Sequence, residues 1–255
     1  VTAFGSDVQV VASQTAICAG EHVTLYANET GWTGNVAYTW ENGSHASSID
    51  VTPMVTTTYA VTSTVTSTSG TCQRVDNITV VVTPLPDTVH LNAITPTTIC
   101  QNGQVTIHAD GNAAGYIWYQ NGVEIPGENQ ADLTVNFPDY GTYNFAAKAI
   151  NVEGCVSKVA SEPLTVTVTK APTTVTITGN NVICENDSTV LTAHSDVTGT
   201  FTWNDGTTGA TKTVTAGIYN VTMTTAEGCS MTSDNFTVTA FGSDVQVVAS
   251  QTAIC

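Results

Sequence analysis

Three times in this chain a cysteine opens the same kind of phrase: Cys18 in AICAGEHVTLYA, Cys100 in TICQNGQVTIHA and Cys184 in VICENDSTVLTA. Cys255 opens a fourth as the copy of Cys18, because residues 1 to 18 return unchanged at 238 to 255. The three steps between these cysteines are unequal, and together they make one full period. Whatever this sequence folds into must therefore be complete in roughly 70 to 85 residues and must recur, which is the mark of a repeat architecture. Each step carries the same landmarks in order. A Trp precedes a Gly turn (Trp40, Trp118, Trp203), a Tyr follows (Tyr59, Tyr143, Tyr219), and a second cysteine closes the series (Cys72, Cys155, Cys229).

Runs such as VTLYA, YTW, TYAVTSTVT and NITVVV alternate apolar and hydroxyl residues at period two between Gly, Asn, Asp and Pro, and no segment holds a helical period. The expected class is all-β, with each unit a sandwich of two sheets over one thin core. The joints TPLPDT at 83–88, TKAPTT at 169–174 and TAFGSD at 239–244 are short and leave little freedom between neighbours. The divisions are the end of a preceding unit at 1–5, domains at 6–84, 85–170 and 171–240, and the first strand of the next unit at 241–255.

In the second domain, YIWYQNGVEIPGENQADLTVNFPDYGTYNFAAKAINVEGC resembles an immunoglobulin-type run from strand C to the F–G turn. The resemblance implies tandem immunoglobulin-like sandwiches in an elongated array. It also implies a core Trp on strand C and a corner Tyr two residues before the usual F-strand cysteine. Here that cysteine position holds Val61, Phe145 and Val221, with Ala27, Ala109 and Ala193 as strand B counterparts. Packing replaces the usual inter-sheet bridge. The cysteines stand elsewhere: Cys18, Cys100 and Cys184 at the A–B turn, and Cys72, Cys155 and Cys229 after the F–G turn.

Immunoglobulin topology puts those two turns at opposite ends of a sandwich, roughly 25 Å apart or more, whereas bridged Cα atoms lie within about 7 Å. In a head-to-tail array the lower end of one domain meets the upper end of the next. Cys18 then pairs with Cys155, Cys100 with Cys229, and Cys184 with the next repeat's copy of Cys72. This inter-domain set is preferred, and the in-domain set Cys18–Cys72, Cys100–Cys155 and Cys184–Cys229 stays open because sequence alone does not fix connectivity. The short Gly206 to Tyr219 connection puts strand C′ of the third domain in doubt, and its loss would flip the strand parity and make in-domain pairing feasible there. In either scheme the partner of Cys255 lies outside the chain.

Paired cysteines without CxxC spacing indicate an oxidising, extracellular compartment. No apolar run approaches the ~18 residues of a membrane span, so targeting and anchoring are expected outside this segment. Five Lys and Arg against 21 Asp and Glu, a formal charge of −16, speak against nucleic acid and anionic membrane as partners. The acidic residues form no DxDxDG loop; no cofactor is expected, and calcium at a domain joint is weighed only against solvated carboxylates. His22, His45, His90, His108 and His194 fall singly, and no GxSxG, HExxH or phosphate-cradling loop occurs. The expectation is that the protein is not an enzyme.

Trp32, in the loop ETGWTGN, has no counterpart in the other domains and is a candidate glycan contact or a cover for the joint to a preceding domain. Asp87-Thr88-Val89 and Asp187-Ser188-Thr189 resemble a bacterial O-glycosylation acceptor, making Thr88 and Ser188 candidate O-glycan sites. Taken in order, I-C-x-G/N, VTL-x-A, Y-x-W-x-x-G, T-Y-x-V, G-C and a closing VTV resemble the Ig-like and PKD-like repeats of very large surface proteins in gliding and other type IX secreting bacteria. The likeness is closest in kind to the long mobile adhesins of the gliding machinery. It implies export by that system, a bacterial cell-surface location and a stalk of many repeats that spaces and transmits force to a binding tip. The partners would be neighbouring identical repeats, with surface glycans or other cells at the tip. Two other classes are carried beside this one: a multivalent glycan-binding module, and a subunit of a polymeric extracellular filament.

Overall fold

A computed structural model describes residues 7–242 apart from 33 and 69. Among these residues there are strands and turns and no helix. The first domain contains β1 (Asp7–Ala12), β2 (Ala16–Cys18), β3 (Val23–Thr30), β4 (Val36–Trp40), β5 (Ser48–Val51), β6 (Thr57–Ser67) and β7 (Gly70–Thr83). Its sheets are β1-β3-β5 and β2-β7-β6-β4. Alternation selects the core face: in β3, Val23, Leu25 and Ala27 are buried while Thr24, Tyr26 and Asn28 stand on the other face.

The second domain repeats the plan with β8 (His90–Ala93), β9 (Thr98–Cys100), β10 (Gln104–Asp110), β11 (Gly115–Gln120), β12 (Val123–Glu124), β13 (Asp132–Asn136), β14 (Gly141–Ile150) and β15 (Leu164–Thr169). The sheets are β8-β10-β13 and β12-β11-β14-β15-β9. The third has β16 (Val175–Thr178), β17 (Val182–Cys184), β18 (Thr189–Ser195), β19 (Thr200–Trp203), β20 (Thr211–Val214), β21 (Gly217–Tyr219), β22 (Val221–Thr224), β23 (Ser230–Thr232) and β24 (Phe236–Phe241). Each unit buries its own cluster around Trp40, Trp118 or Trp203. This is the all-β, immunoglobulin-like sandwich in strand order as well as in class.

One device recurs that the alternation pattern does not reveal. The first strand of each domain starts in one sheet and finishes in the other: β1 runs antiparallel to β3, then β2 runs parallel to β7. Domains two and three do the same, β9 pairing with β15 and β17 with β24. Hydroxyl and backbone groups hold the crossing, with Ser13 N donating to Thr24 O and Val81 N to Thr15 O, and Thr24 N donating to Ser13 Oγ. The lower cysteine of each unit is thereby the last residue of a strand clamped to the end of strand G.

The strand parity of the third domain is the same as in the others, contrary to the exception raised for it. β20 lies antiparallel to β18 as β5 does to β3, and the missing strand C′ is reduced to one bridge between Thr202 and Thr208. Its cysteines accordingly stand at opposite ends.

Candidate functional site

The features that distinguish this chain sit where consecutive sandwiches meet. In the first domain Cys18 is in register with Thr83, whereas Cys72 lies on the same strand opposite Val65. The stretch of strand from Cys72 to Thr83 spans on the order of 35 Å. No in-domain disulfide fits that separation. The structure instead joins Cys18 to Cys155 and Cys100 to Cys229, each with Cα atoms 5.6 Å apart. Cys72 is half-buried and Cys184 exposed, both as free thiols; Cys255 falls outside the described residues.

Each lower cysteine starts a β-turn whose third residue is left-handed. Glu21 N donates to Cys18 O, Gly103 N to Cys100 O and Asp187 N to Cys184 O. The third residues Gly20, Asn102 and Asn186 have φ of 82°, 66° and 67°. Cys18 N also donates to Glu21 Oε2.

The upper cysteines are presented by a turn that their sequence builds at fixed spacing. In Asn151-Val-Glu-Gly-Cys155, Asn151 N donates to Cys155 O, Gly154 N to Asn151 O and Cys155 N to Asn151 Oδ1. Thr225 plays the same part for Cys229, its Oγ1 accepting from Cys229 N. Asn151 does more: its Nδ2 donates to Pro84 O, tying the turn to the linker below the first domain. Neither residue stands out in the sequence, although the recurrence of a polar side chain four residues before the cysteine carries the signal.

The second joint has a further clasp. Asp196, in the loop after β18, accepts from Thr173 N, Thr174 N and Thr173 Oγ1, and pairs with Lys170 at 3.0 Å. The Thr173 amide, and then Lys170, hold its carboxyl well below the usual carboxylate range. Thr169 Oγ1 stands 3.1 Å from the sulfur of Cys229 and also donates to Ile99 O.

The core residues singled out by the repeat are held in one manner. Trp40, Trp118 and Trp203 donate through Nε1 to the carbonyls of Ala46, Gln130 and Gly209. The amides of Ala27, Ala109 and Ala193 take the very next carbonyls, Ser47, Ala131 and Ala210. Val61 and Val221 lie opposite Trp40 and Trp203, but Trp118 faces Ala147, with Phe145 one pleat away. Tyr143 and Tyr219 donate to carbonyls four residues upstream, Asp139 and Thr215. Tyr59 packs against its core while Thr57 Oγ1 takes the corresponding carbonyl of Val55.

Of the remaining candidates, Trp32 is half-buried, its indole lying over Gly34, where an added Cβ would stand 2.7 Å from Nε1. Thr88 is exposed in the first linker and Ser188 in the turn before β18, beside Cys184. The structure brings none of these three together.

No family model and no curated protein matches the chain. Solved structures similar to it include a bacterial ice-binding adhesin, at 17% identity, covering 91% of this chain and 97% of that one with a TM-score of 0.34. Fibronectin(III)-like modules of CbhA from Clostridium thermocellum show 12% identity, coverage of 64% and 95%, and a TM-score of 0.35. Three N-terminal domains of the Hoc capsid protein of bacteriophage RB49 show 12% identity, coverage of 93% and 100%, and a TM-score of 0.34. Likeness at this level carries no argument about function, and the fold rests on the strand order itself.

Proposed function

We propose that the chain is one period of an extracellular stalk, in which successive sandwiches are bridged end to end so that tension passes from domain to domain. The observation that carries this reading is the pair of disulfides that cross linkers: each bonds the lower end of one sandwich to the upper end of the next. A bridge inside a domain stabilises that domain; a bridge across a joint fixes the relation of two domains and gives tension a covalent route past both. The stalk belongs to a large repetitive bacterial surface adhesin of the gliding, type IX secreted kind, with its binding tip and its anchor in other parts of the protein. The joints involve no catalysis and take no cofactor in this reading.

The test is the denatured mass of native material with and without reductant, with electron microscopy of the same sample. One polypeptide of many periods, seen as unbranched fibres, is the expected result. Collapse to about one period on reduction would replace the single-chain stalk by a disulfide-linked filament. Compact particles of one period without reductant would sink the stalk altogether.

A further inference from the structure

Among the described residues Cys72 and Cys184 are the free cysteines, and each occupies a place that is bridged elsewhere in the same molecule. Cys72 stands across from Val65, four residues up strand F from Val61, which faces Trp40. Cys155 stands across from Asn151, four residues above Ala147, which faces Trp118. Cys229 stands across from Thr225, again four above Val221, which faces Trp203. The interval along the sequence from Val61 to Cys72 is longer than those from Ala147 to Cys155 and from Val221 to Cys229, yet the height above the core Trp is the same. The extra residues lengthen the β6–β7 hairpin past Cys72, where Thr66 pairs with Thr71 and Ser67 with Gly70.

The lower end of the third domain is likewise a copy of a filled site. Val182, Ile183, Cys184, Asp187 and Phe241 line a hollow. Their counterparts Ala16, Ile17, Cys18, Glu21 and Thr83 line the one that receives Glu153, Gly154 and Cys155. Cys184 is in register with Phe241 as Cys18 is with Thr83. Phe241 is 69% exposed, a phenyl ring where the bridged joints have threonine.

The chain between these ends is shorter than at the other joints. From the residue in register with the lower cysteine to the first-strand residue opposite the strand B alanine there are eight steps in each bridged joint, Thr83 to Leu91 and Thr169 to Ile177. At the third joint, by identity of 238–255 with 1–18, Phe241 to Val247 is six. Six extended residues reach about 20 Å. Four residues of strand rise by about 13 Å, and the bridged Cα separation adds 5.6 Å. A linker of six steps is thus just long enough for such a bridge.

Resting on the reading of the chain as one period of an array, we propose that Cys184 is bonded to Cys72 of the following repeat, which makes this the tightest joint of the period. Two thiols lose two protons and two electrons as the S–S bond forms, and an oxidised dithiol of the export compartment takes them up and is reduced. Every joint is then bridged, and because Cys100 lies inside the loop closed by Cys18 and Cys155, the bridges interleave along the whole fibre.

The experiment is alkylation of free thiols in native, non-reduced material, digestion with trypsin and an acid-specific protease, and mass spectrometry of the linked peptides. Recovery of a peptide pair joining Cys184 to Cys72, lost on prior reduction, is the expected result. Alkylated Cys184 and Cys72, or either cysteine bonded elsewhere, would overturn the proposal. Free thiols found in material that is still a long fibre overturn this joint alone, whereas compact particles overturn the stalk reading, so the two failures are told apart. In a chain of two repeats, Cys184→Ser should abolish the linked pair and leave Cys18–Cys155 and Cys100–Cys229 intact; a linked Cys72 in that variant would also refute the pairing.

Discussion

At the scale of single residues, each sandwich is organised by an indole that is both packed and bonded. Trp118 is fully buried and its Nε1–H donates to Gln130 O, so two different losses can be separated. Trp118→Phe keeps most of the apolar burial but strands the carbonyl, and should cost about 1–3 kcal/mol. Trp118→Ala also opens a cavity and should cost about 3–5 kcal/mol. Urea unfolding midpoints of the two variants should differ in that order, and a Trp118→Phe midpoint equal to the parent's would mean the hydrogen bond contributes nothing. Asp196 gives a prediction in pH. Its folded carboxyl titrates below the ordinary value, so the stabilisation it lends to the linker is complete above the usual carboxylate range and is lost as pH falls through the folded value. Asp196→Asn should therefore lower the stability of the second joint at neutral pH, and the gap from the parent should close in strong acid. A gap independent of pH would assign the effect to geometry alone.

At the scale of elements, what is legible in the sequence depends on whether the chain obeys its own period. β3 can be read directly, since VTLYA alternates and its inward residues Val23, Leu25 and Ala27 are the buried ones. The positions of the A–B and F–G turns follow from Gly, Asn and Cys spacing. The upper part of strand G in the second domain is not legible, because the regular ladder is interrupted between Val156 and Leu164 and side chains replace backbone there. Ser157 and Ser161 are buried, and their hydroxyls accept from the amides of Ala149 and Ala147. A hydroxyl standing in for a peptide group leaves no mark on a hydropathy pattern. The sheet-switching first strand is hidden for a similar reason, since both halves bury residues at period two. The Ser hydroxyls provide a test at this scale. Ser161→Ala removes the acceptor from a buried amide and should cost about 1–3 kcal/mol, well above the same change at the exposed Ser188. Stabilities of the two variants within about 0.5 kcal/mol of each other would show that the interrupted ladder finds another acceptor.

At the scale of the whole molecule, the bridges set how far the chain can be drawn out. Cys18–Cys155 closes a loop of 137 residues and Cys100–Cys229 one of 129. On the chain-entropy account each stabilises by about 5 kcal/mol, and the two do not add, because the loops overlap and the second closure acts on a chain already constrained. The mechanical consequence is larger than the thermodynamic one. When the chain is pulled from its two ends, the shortest covalent path crosses from Cys18 to Cys155, runs back to Cys100 and crosses to Cys229, so the stretches 19–99 and 156–228 add no length until the bonds are broken. At about 3.5 Å per extended residue, the two bridges together withhold about 550 Å of contour. Single-molecule stretching in oxidising buffer should accordingly give short unfolding steps, and added reductant should release an additional length of that order. Cys18→Ser should lengthen the fully stretched molecule only modestly while Cys100–Cys229 remains, because that second loop then withholds a nearly equal stretch; the double variant Cys18→Ser, Cys100→Ser should reach the full length without reductant. Equal extensions for the parent in the two buffers would mean that neither bridge crosses a joint under tension, and the domains would then be linked by their short peptide joints alone.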